Sequence, residues 1–349
     1  MYRPRRDKNV EAFLKGQIMN REAEFNREKE ACTAQLTHIE KDIKDPELIK
    51  INEVYGAADS LSLQYAEKYR RIIFSLSVAG TLLAIAFLLY DEVYWYGMIL
   101  ACGVLVLVLF YINRLARRLQ CHKKYLEYRL LAEGTRVQYY LCRAGLRQNV
   151  ADLLPWAWQF NVPWTKKVLR QLLQDNEGKT GKKEGESNAA GGNSILDLWI
   201  RDQAAYHRNA LSRTEARILR NDRITRTALV LALITYAAAL IFEITAGGLF
   251  SGRVLLSAGQ METARVVLKV AMGSFSAMTL FAGNYYGKLS LEDTAQDHRR
   301  MAALYEKMEQ EILQNGETEE LLLKLAREEL SENSSWYAYQ SKNTPDISI

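Results

Sequence analysis

The chain has 349 residues, of which 48% are hydrophobic and 25% charged, and its formal net charge is +5 at pH 7. Basic residues at membrane edges explain this modest charge better than a nucleic-acid partner does, so no nucleic-acid binding is expected. The four cysteines include no CxxC pair, which argues against a zinc site and a disulfide framework and favours scattered free thiols. They are Cys32, Cys102, Cys121 and Cys142.

The first 45 residues are predicted to form a charged helical segment. Met1–Arg6 is basic, but no apolar stretch follows it, so no secretory targeting signal is expected. The charged stretch Asn20–Asp45, NREAEFNREKEACTAQLTHIEKDIKD, allows a helix or two. It is too short and too polar to form a nucleotide-binding α/β domain.

A first two-span unit is predicted at residues 46–173. Ile72–Tyr90 is a run of 19 residues without a charge, and Val93–Asn113 is a second such run. A helix needs about 20 apolar residues to cross the hydrocarbon core of a bilayer. Both runs are apolar on all faces, whereas a core helix usually keeps a polar stripe. We therefore predict membrane spans at about residues 72–90 and 93–113.

The flanks of this first hairpin predict its orientation. Basic residues precede the first span in EKYRR and follow the second in NRLARR, whereas the turn Asp91–Glu92 carries two acids and no base. Because Lys and Arg mark the cytoplasmic side, both feet of the hairpin are expected in the cytoplasm. The aromatic residues Tyr94–Tyr96 are then expected at the opposite membrane interface.

The helix that leaves the first hairpin is predicted to be amphipathic. In Tyr125–Leu141, YLEYRLLAEGTRVQYYL, one side is apolar or small, while Glu127 and Arg136 fall elsewhere. The residues of that side are Leu130, Leu131, Gly134, Val137 and Leu141. Such a stripe must be covered, so we expect packing against another helix of this chain or of a second copy.

The stretch Leu153–Trp164, LLPWAWQFNVPW, contains three tryptophans and two prolines. Two interpretations stay open at this point. An aromatic cap that packs on the helices is favoured, because indole rings bury well at helix junctions. The alternative is a contact with the membrane surface.

Residues 174–194 are rich in Gly, Lys, Glu and Asn and are predicted to be a flexible linker. A second two-span unit is predicted at residues 195–349, with spans at about 227–244 and 266–287. The connection 245–269 contains three basic residues. We interpret its central sequence, LFSGRVLLSAG, as an interfacial or re-entrant piece.

Both halves share one organisation, in which an apolar hairpin lies between two long charged helices. The helices that leave the hairpins align as Tyr128–Glu133 against His298–Ala303. The sequence therefore predicts an all-α membrane protein built from two tandem helical hairpin units, with four transmembrane helices and long cytoplasmic amphipathic helices. The even number of spans places both termini in the cytoplasm.

The fourth span carries most of the candidate functional residues. Its sequence AMGSFSAMTLFAGNYYG is rich in small and weakly polar side chains, which favour close helix packing in membranes. The candidates are Gly273, Ser276, Ala277, Thr279, Gly283 and Asn284. Ser276, Thr279 and Gly283 are expected on one helical face. That face either lines a water-filled path in an assembly or forms a tight, non-conducting helix seam.

Glu243, at the far end of the third span, is a further candidate as a pore-mouth carboxylate. The plainer interpretation is that this residue marks the point at which the span reaches water. No catalytic, cofactor-binding or metal-binding residue is predicted, because no P-loop, dinucleotide, HExxH or GxSxG motif is present. The histidines His38, His122, His207 and His298 are not at metal-ligand spacings, so an enzyme is not expected.

The second half resembles the SLATT family, two-span membrane modules of bacterial conflict systems. The resemblance rests on LWIRDQAAYHRNALSRTEARILR before the hairpin and on AQDHRRMAALYEKMEQEI and LAREELSENSSWYAYQSKNTP after it. The first half, with YGAADSLSLQYAEKYRR, is similar to a more diverged copy, so residues 45–345 are covered. The resemblance implies an inner-membrane effector of antiviral defence by abortive infection. On a nucleotide or infection signal, such an effector forms pores that depolarise the cell.

The partners expected from this resemblance are the lipid bilayer, further copies in a homo-oligomer and a nucleotide-sensing or nucleotide-synthesising protein. The alternative function is a non-conducting membrane scaffold that anchors and clusters a cytoplasmic partner through its amphipathic helices. A small repeat-based transporter is a third interpretation. It is disfavoured because the hairpins share one orientation and no charge within the spans marks a binding site.

Overall fold

The computed structural model describes residues 8–32, 36–41, 43–174, 195–246 and 257–342. Every regular element within these ranges is helical, which confirms the predicted all-α class. The helices are α1 (Lys8–Ala31), α2 (Pro46–Glu92), α3 (Met98–Leu119), α4 (Cys121–Arg143), α5 (Val150–Leu153), α6 (Trp156–Asn161), α7 (Pro163–Gln174), α8 (Asp202–Ala246, preceded by a π-helical turn at Leu196–Arg201), α9 (Ala258–Lys288), α10 (Leu291–Asn315) and α11 (Glu319–Gln340).

Four helical stretches of the described chain are long and apolar enough to cross a bilayer, as predicted. They are Pro46–Glu92, Met98–Arg143, Leu196–Thr245 and Ala258–Asn315. Helix α2 alone has 47 residues and therefore measures about 70 Å along its axis, well beyond the thickness of a hydrocarbon core. The apolar runs of α2 and α8 thus continue without a break into charged helical segments, whereas Gln120 and Ser290, each with a φ of +46°, separate α3 from α4 and α9 from α10. The chain is a multi-pass membrane protein.

The turn between the first two spans lies further along the chain than predicted. Helix α3 begins at Met98, whereas the predicted second span began at Val93. Tyr94 has a φ of +55°, which is left-handed and incompatible with a right-handed helix. The chain therefore reverses over residues 93–97, and the amide of Met98 donates to the Trp95 carbonyl at 2.8 Å. The charge-free run alone could not show this, since it includes the turn.

The chain packs as two compact units, and each predicted tandem half contributes to both. We name the first the bundle unit, which comprises the described residues of Met1–Glu67, Cys121–Leu211 and Gln296–Thr344. The second is the span unit, which comprises the described residues of Lys68–Gln120 and Ser212–Ala295. The charge-free runs all fall in the span unit. The packing units differ from the two predicted tandem halves, and the division into two tandem repeats stays a prediction.

Helix α4 is the centre of the bundle unit, and other helices of the chain cover its predicted apolar side, as expected. The prediction that its other side is open was wrong. From Leu126 to Leu141, all residues except Arg129 are buried, including Glu127 and Arg136. Helices α1, α5, α7 and α11 pack around it or around each other. A side chain at Gly134 would place its Cβ 2.9 Å from Leu169 of α7, so the glycine permits this close approach. The two charged residues are tolerated inside because partners from other helices neutralise them.

Two of the three tryptophans in the stretch 153–164 belong to this core, in agreement with the aromatic-cap interpretation. Trp158 and Trp164 are buried, and each indole N–H has a hydrogen-bond acceptor. Trp158 Nε1 donates to Thr165 Oγ1 at 2.9 Å, and Trp164 Nε1 donates to Glu127 Oε2 at 2.9 Å. Buried indoles with a satisfied N–H fix α6 and α7 in the bundle.

Two predicted segments fall largely outside the described residues. Of the predicted linker 174–194, only Gln174 is described, as the last residue of α7. The sequence LFSGRVLLSAG lies mostly in the undescribed residues 247–256, so its interfacial or re-entrant interpretation stays a prediction. The remainder of the connection is helical from Ala258, where α9 begins.

Candidate functional site

Helix α9 begins before the predicted start of the fourth span because a capping box initiates it. The Ser257 hydroxyl accepts from the Gln260 amide at 3.4 Å, and the Gln260 side chain accepts from the Ser257 amide at 3.0 Å. This reciprocal arrangement satisfies two amides that a helix start leaves without partners. The helix then runs to Lys288, and Ser290, with a φ of +46°, separates it from α10.

Within the span unit, α9 packs antiparallel against α2 from Lys269 to Tyr285. Four pairs mark this seam, namely Phe74 with Tyr285, Gly80 with Phe281, Leu88 with Gly273, and Glu92 with Lys269. The numbers rise on α2 as they fall on α9, so the first span of one predicted hairpin contacts the second span of the other. From residue 74 to 92, the seam extends for about 27 Å, close to the thickness of a hydrocarbon core.

Glycines allow the two helices to approach closely in this seam. A Cβ built on Gly80 would lie 2.5 Å from Phe281 Cε1, and one on Gly273 would lie 2.7 Å from Leu88 Cδ1. Small residues that permit backbone approach are the usual basis of helix association in lipid. Gly273 therefore packs within the chain, and Ala277, one turn further, is half-buried.

The other candidates of α9 divide between its half-buried and its open sides. Ser276, Gly283 and Asn284 are exposed, and a Cβ on Gly283 would meet no atom of the described residues within 4 Å. Thr279 is half-buried, and its hydroxyl donates to the Phe275 carbonyl of its own helix at 2.9 Å. We call Ser276, Gly283 and Asn284 the open face of α9. The structure thus separates candidates that the sequence grouped together.

Glu243 forms a bidentate ion pair with Arg265. Arg265 Nε and Nη2 donate to the two carboxylate oxygens at 2.6 and 2.8 Å, which joins the end of α8 to the start of α9. One turn later on α9, Lys269 Nζ contacts Glu92 of α2 at 3.1 Å. Two basic residues of α9 therefore bind acids at the ends of two other span helices. In a pore-mouth role, the Glu243 carboxylate would act while it is bound to Arg265.

The bundle unit contains a buried ionic network that the sequence analysis missed. Arg136 Nη2 donates to Glu329 Oε1 of α11 at 2.5 Å and lies 2.5 Å from Glu133 Oε2 of its own helix. Trp199 Nε1 donates to the other Glu329 oxygen at 3.2 Å. Burial by itself lowers the pKa of Arg136, but the carboxylates of Glu133 and Glu329 outweigh it and raise that pKa above its usual range. The guanidinium is therefore permanently charged.

A second buried carboxylate repeats the same combination of partners. Glu127 Oε2 accepts from Arg21 Nη2 at 2.6 Å and from the Trp164 indole at 2.9 Å. Glu329 has the same two kinds of partner, a guanidinium and an indole. In each case the trio joins helices that are far apart in sequence, here α1, α4 and α7. Charge-assisted hydrogen bonds of this kind fix geometry as well as adding energy.

A histidine pair lies beside the first network. His207 Nδ1 and His298 Nδ1 are 3.1 Å apart, so one ring donates and the other accepts. The Tyr305 ring stacks on His207 with centroids 5.8 Å apart. Burial is the largest cause that lowers the pKa of His207 to about 2, followed by the positive charge of Arg136, by His298 and by Arg129. His207 is therefore neutral at pH 7.

These groups bind one another and join helices of the bundle unit. Within each network, the buried charges are paired with one another: Arg136 with Glu133 and Glu329, and Arg21 with Glu127. In the part of the chain that the structure describes, no three His, Cys, Asp or Glu side chains are grouped to hold a metal ion. No local sequence pattern links Arg136 to Glu329, which is 193 residues away. Only the three-dimensional packing shows the pair.

These observations define the class of the protein as an all-α, multi-pass membrane protein that contains a helical bundle unit and a span unit. No family model matches the chain, and no curated protein or solved structure matches it at a significant level. The resemblance to the SLATT family therefore rests on the sequence motifs alone and stays a prediction.

Proposed function

We propose that this protein is a membrane effector of a bacterial anti-phage system. It oligomerises in the inner membrane through the open face of α9 and forms a pore when a nucleotide signal or a partner sensor triggers it. Both termini are cytoplasmic in this arrangement. Two things support the proposal, namely the SLATT-like motifs of the sequence and the way in which α9 is packed.

The observation that carries the proposal is the division of α9 into a covered side and an open face. Helix α2 covers Gly273, whereas Ser276, Gly283 and Asn284 are exposed in the single chain. An amide side chain that faces hydrocarbon is unfavourable, because lipid offers it no hydrogen-bond partner. Glycine and serine at the same face allow another helix to approach closely. Contact between copies of α9 removes these polar groups from lipid and directs them towards a shared axis.

The trigger in this proposal reaches the chain through a partner that senses or synthesises a nucleotide. The bundle unit is the natural receiver, because its surface helices carry many charged side chains. Exposed examples are Arg208, Arg327 and Glu328. The ion pairs of Arg265 and Lys269 with Glu243 and Glu92 hold the span helices of one chain together while copies assemble.

Ion and dye release from proteoliposomes tests the proposal. We would compare the wild-type chain with Gly283→Leu, which adds a bulky side chain to the open face without a clash inside the chain. The matched control is Gly103→Leu on α3, where a Cβ also meets no atom within 4 Å and which also lies in a span. Each protein is assayed alone and with the products of neighbouring genes and candidate cyclic nucleotides.

Triggered release by the wild type and by Gly103→Leu, together with loss of release in Gly283→Leu, is the expected result. Equal release by all three proteins would remove the open face from the mechanism. No release by any protein under any condition, with membrane insertion verified, would overturn the pore. It would leave the non-conducting scaffold, which needs only the spans and the bundle unit.

A further inference from the structure

A pair of large aromatic side chains is exposed on the bundle unit. Trp156 and Phe160, one turn apart on α6, have exposed fractions of 76% and 70%. Their rings stack on each other with centroids 5.2 Å apart and an interplanar angle of 16°. Trp158, on the opposite side of the same short helix, is completely buried. Helix α6 is therefore anchored by one indole and presents a second indole and a phenyl ring outward.

The surroundings of this pair are uncharged at the centre and basic at the edge. Residues 153–165 carry no charge, whereas four basic residues flank them, one before the stretch and three after it. They are Arg147, Lys166, Lys167 and Arg170. Lys166 lies directly beside α6, since its Nζ donates to Gln159 Oε1 at 2.6 Å. Lys167 and Arg170 are partly neutralised by Glu22 and Asp152, while Lys166 contacts a neutral amide. We call Trp156, Phe160 and Lys166 the aromatic patch.

We propose that the aromatic patch docks on the surface of an anionic phospholipid bilayer. Tryptophan is enriched at membrane–water interfaces, where a ring can lie among the headgroups. Basic residues beside such rings gain from the negative surface potential of anionic lipid. The same chain carries four membrane-length helices, so the bundle unit is covalently tethered to a bilayer, and this link raises the effective concentration of its surface at the membrane.

Charge argues against a second copy as the occupant. A two-fold contact between copies would place the same patch on both sides of the interface. The basic edge of one copy would then face the basic edge of the other, and like charges in contact oppose association. An anionic surface complements the edge and the aromatic centre together. This inference goes beyond the proposed pore and does not depend on it.

Lipid quenching of a site-specific fluorophore tests the docking. The full chain with Phe160→Cys is labelled with NBD at the new cysteine. The half-buried Cys142 is replaced by Ser so that it does not react, and the other three cysteines are buried. It is reconstituted in vesicles of phosphatidylglycerol and phosphatidylcholine, or of phosphatidylcholine alone, each containing a bromolipid quencher. The matched control carries the label at Glu328→Cys, an exposed position on α11.

We expect roughly twofold or greater quenching at position 160 than at position 328 in the anionic vesicles. Trp156→Ser and Lys166→Glu should each reduce this quenching, and so should the removal of phosphatidylglycerol. Equal quenching at both positions would overturn the proposal. The proposal would also be overturned if protection of the NBD label from quenching increased with the protein-to-lipid ratio and did not depend on lipid charge. That result would indicate contact with a second copy. Ion release is not part of the readout, so failure of the pore leaves the result interpretable.

Discussion

The buried network around Glu329 permits a sharp prediction about the stability of the bundle unit. Glu329 is fully buried and accepts from Arg136 at 2.5 Å and from the Trp199 indole at 3.2 Å. Glu329→Ala removes both acceptors and leaves a cavity. Since Arg136 cannot lose its proton, the change leaves a charge inside the unit with less compensation than before.

The magnitude follows from what remains around Arg136. Removing one partner of a buried ion pair destabilises a protein by roughly 3–5 kcal/mol. Glu133 still lies 2.5 Å from the guanidinium, so we expect the lower end, about 3 kcal/mol. For a unit of this size, that loss lowers the midpoint of thermal unfolding by about 6–12 °C. Glu329→Gln keeps an acceptor for Trp199 and should fall between the wild type and Glu329→Ala.

The assay is thermal unfolding in detergent, followed by helical circular dichroism and tryptophan fluorescence. The control is Glu328→Ala, an exposed neighbour on the same helix, which should change stability by about 0.5 kcal/mol or less. The double change Arg136→Met with Glu329→Met replaces the pair by apolar volume and should recover part of the loss. A Glu329→Ala midpoint that falls no further than that of Glu328→Ala would refute the reasoning.

Three further predictions concern other parts of the chain. Glu243→Arg should weaken the α8–α9 connection, and adding Arg265→Glu should restore it. Limited proteolysis reads out both variants, and no rescue by the swap would contradict the pairing. Gly80→Val should reduce the free energy of unfolding by about 1–3 kcal/mol, because the new side chain meets the Phe281 ring. Thermal unfolding reads this loss as a lower midpoint temperature. His207 has its pKa lowered to about 2 against 6.5 when unfolded, so its contribution to stability is complete above pH 6.5. Below pH 6.5 the unfolded chain takes up a proton at this residue, so the free energy of unfolding falls by up to about 1.4 kcal/mol per pH unit. His207→Gln should reduce this slope, which unfolding measured at pH 7 and pH 5 would show.

The sequence predicted the spans well because the signal for a span is local. A charge-free run such as Ile72–Tyr90 must leave water whatever surrounds it, so its length and composition suffice. The start of α3 was misplaced because the turn residues Val93–Gly97 are uncharged, like the helix that follows them. Only the left-handed backbone of Tyr94 marks the boundary, and a tyrosine gives no sign of that conformation in a sequence.

The interior of the bundle unit was beyond sequence reasoning because its partners are distant in the chain. Helical periodicity placed Glu127 and Arg136 away from the apolar side of α4, and this would be right for a helix covered on one side only. The structure covers α4 on all sides, and the residues that neutralise these charges are Arg21 and Glu329. Neither lies within a helical turn of its partner, so no periodic pattern connects them.

The sequence also could not separate the candidate pore residues of α9 by their packing. The packing of α9 restricts the geometry of a pore. Gly273 and Gly283 are alike in sequence, since both are glycines in one small-residue span. In the structure, Leu88 covers the first, and no atom of the described residues covers the second. A pore lined by both would require α2 to leave α9 and break the contact between Glu92 and Lys269. A pore built on the open face alone keeps the seam intact, and for that reason Gly283→Leu, rather than Gly273→Leu, separates assembly between copies from packing within one chain.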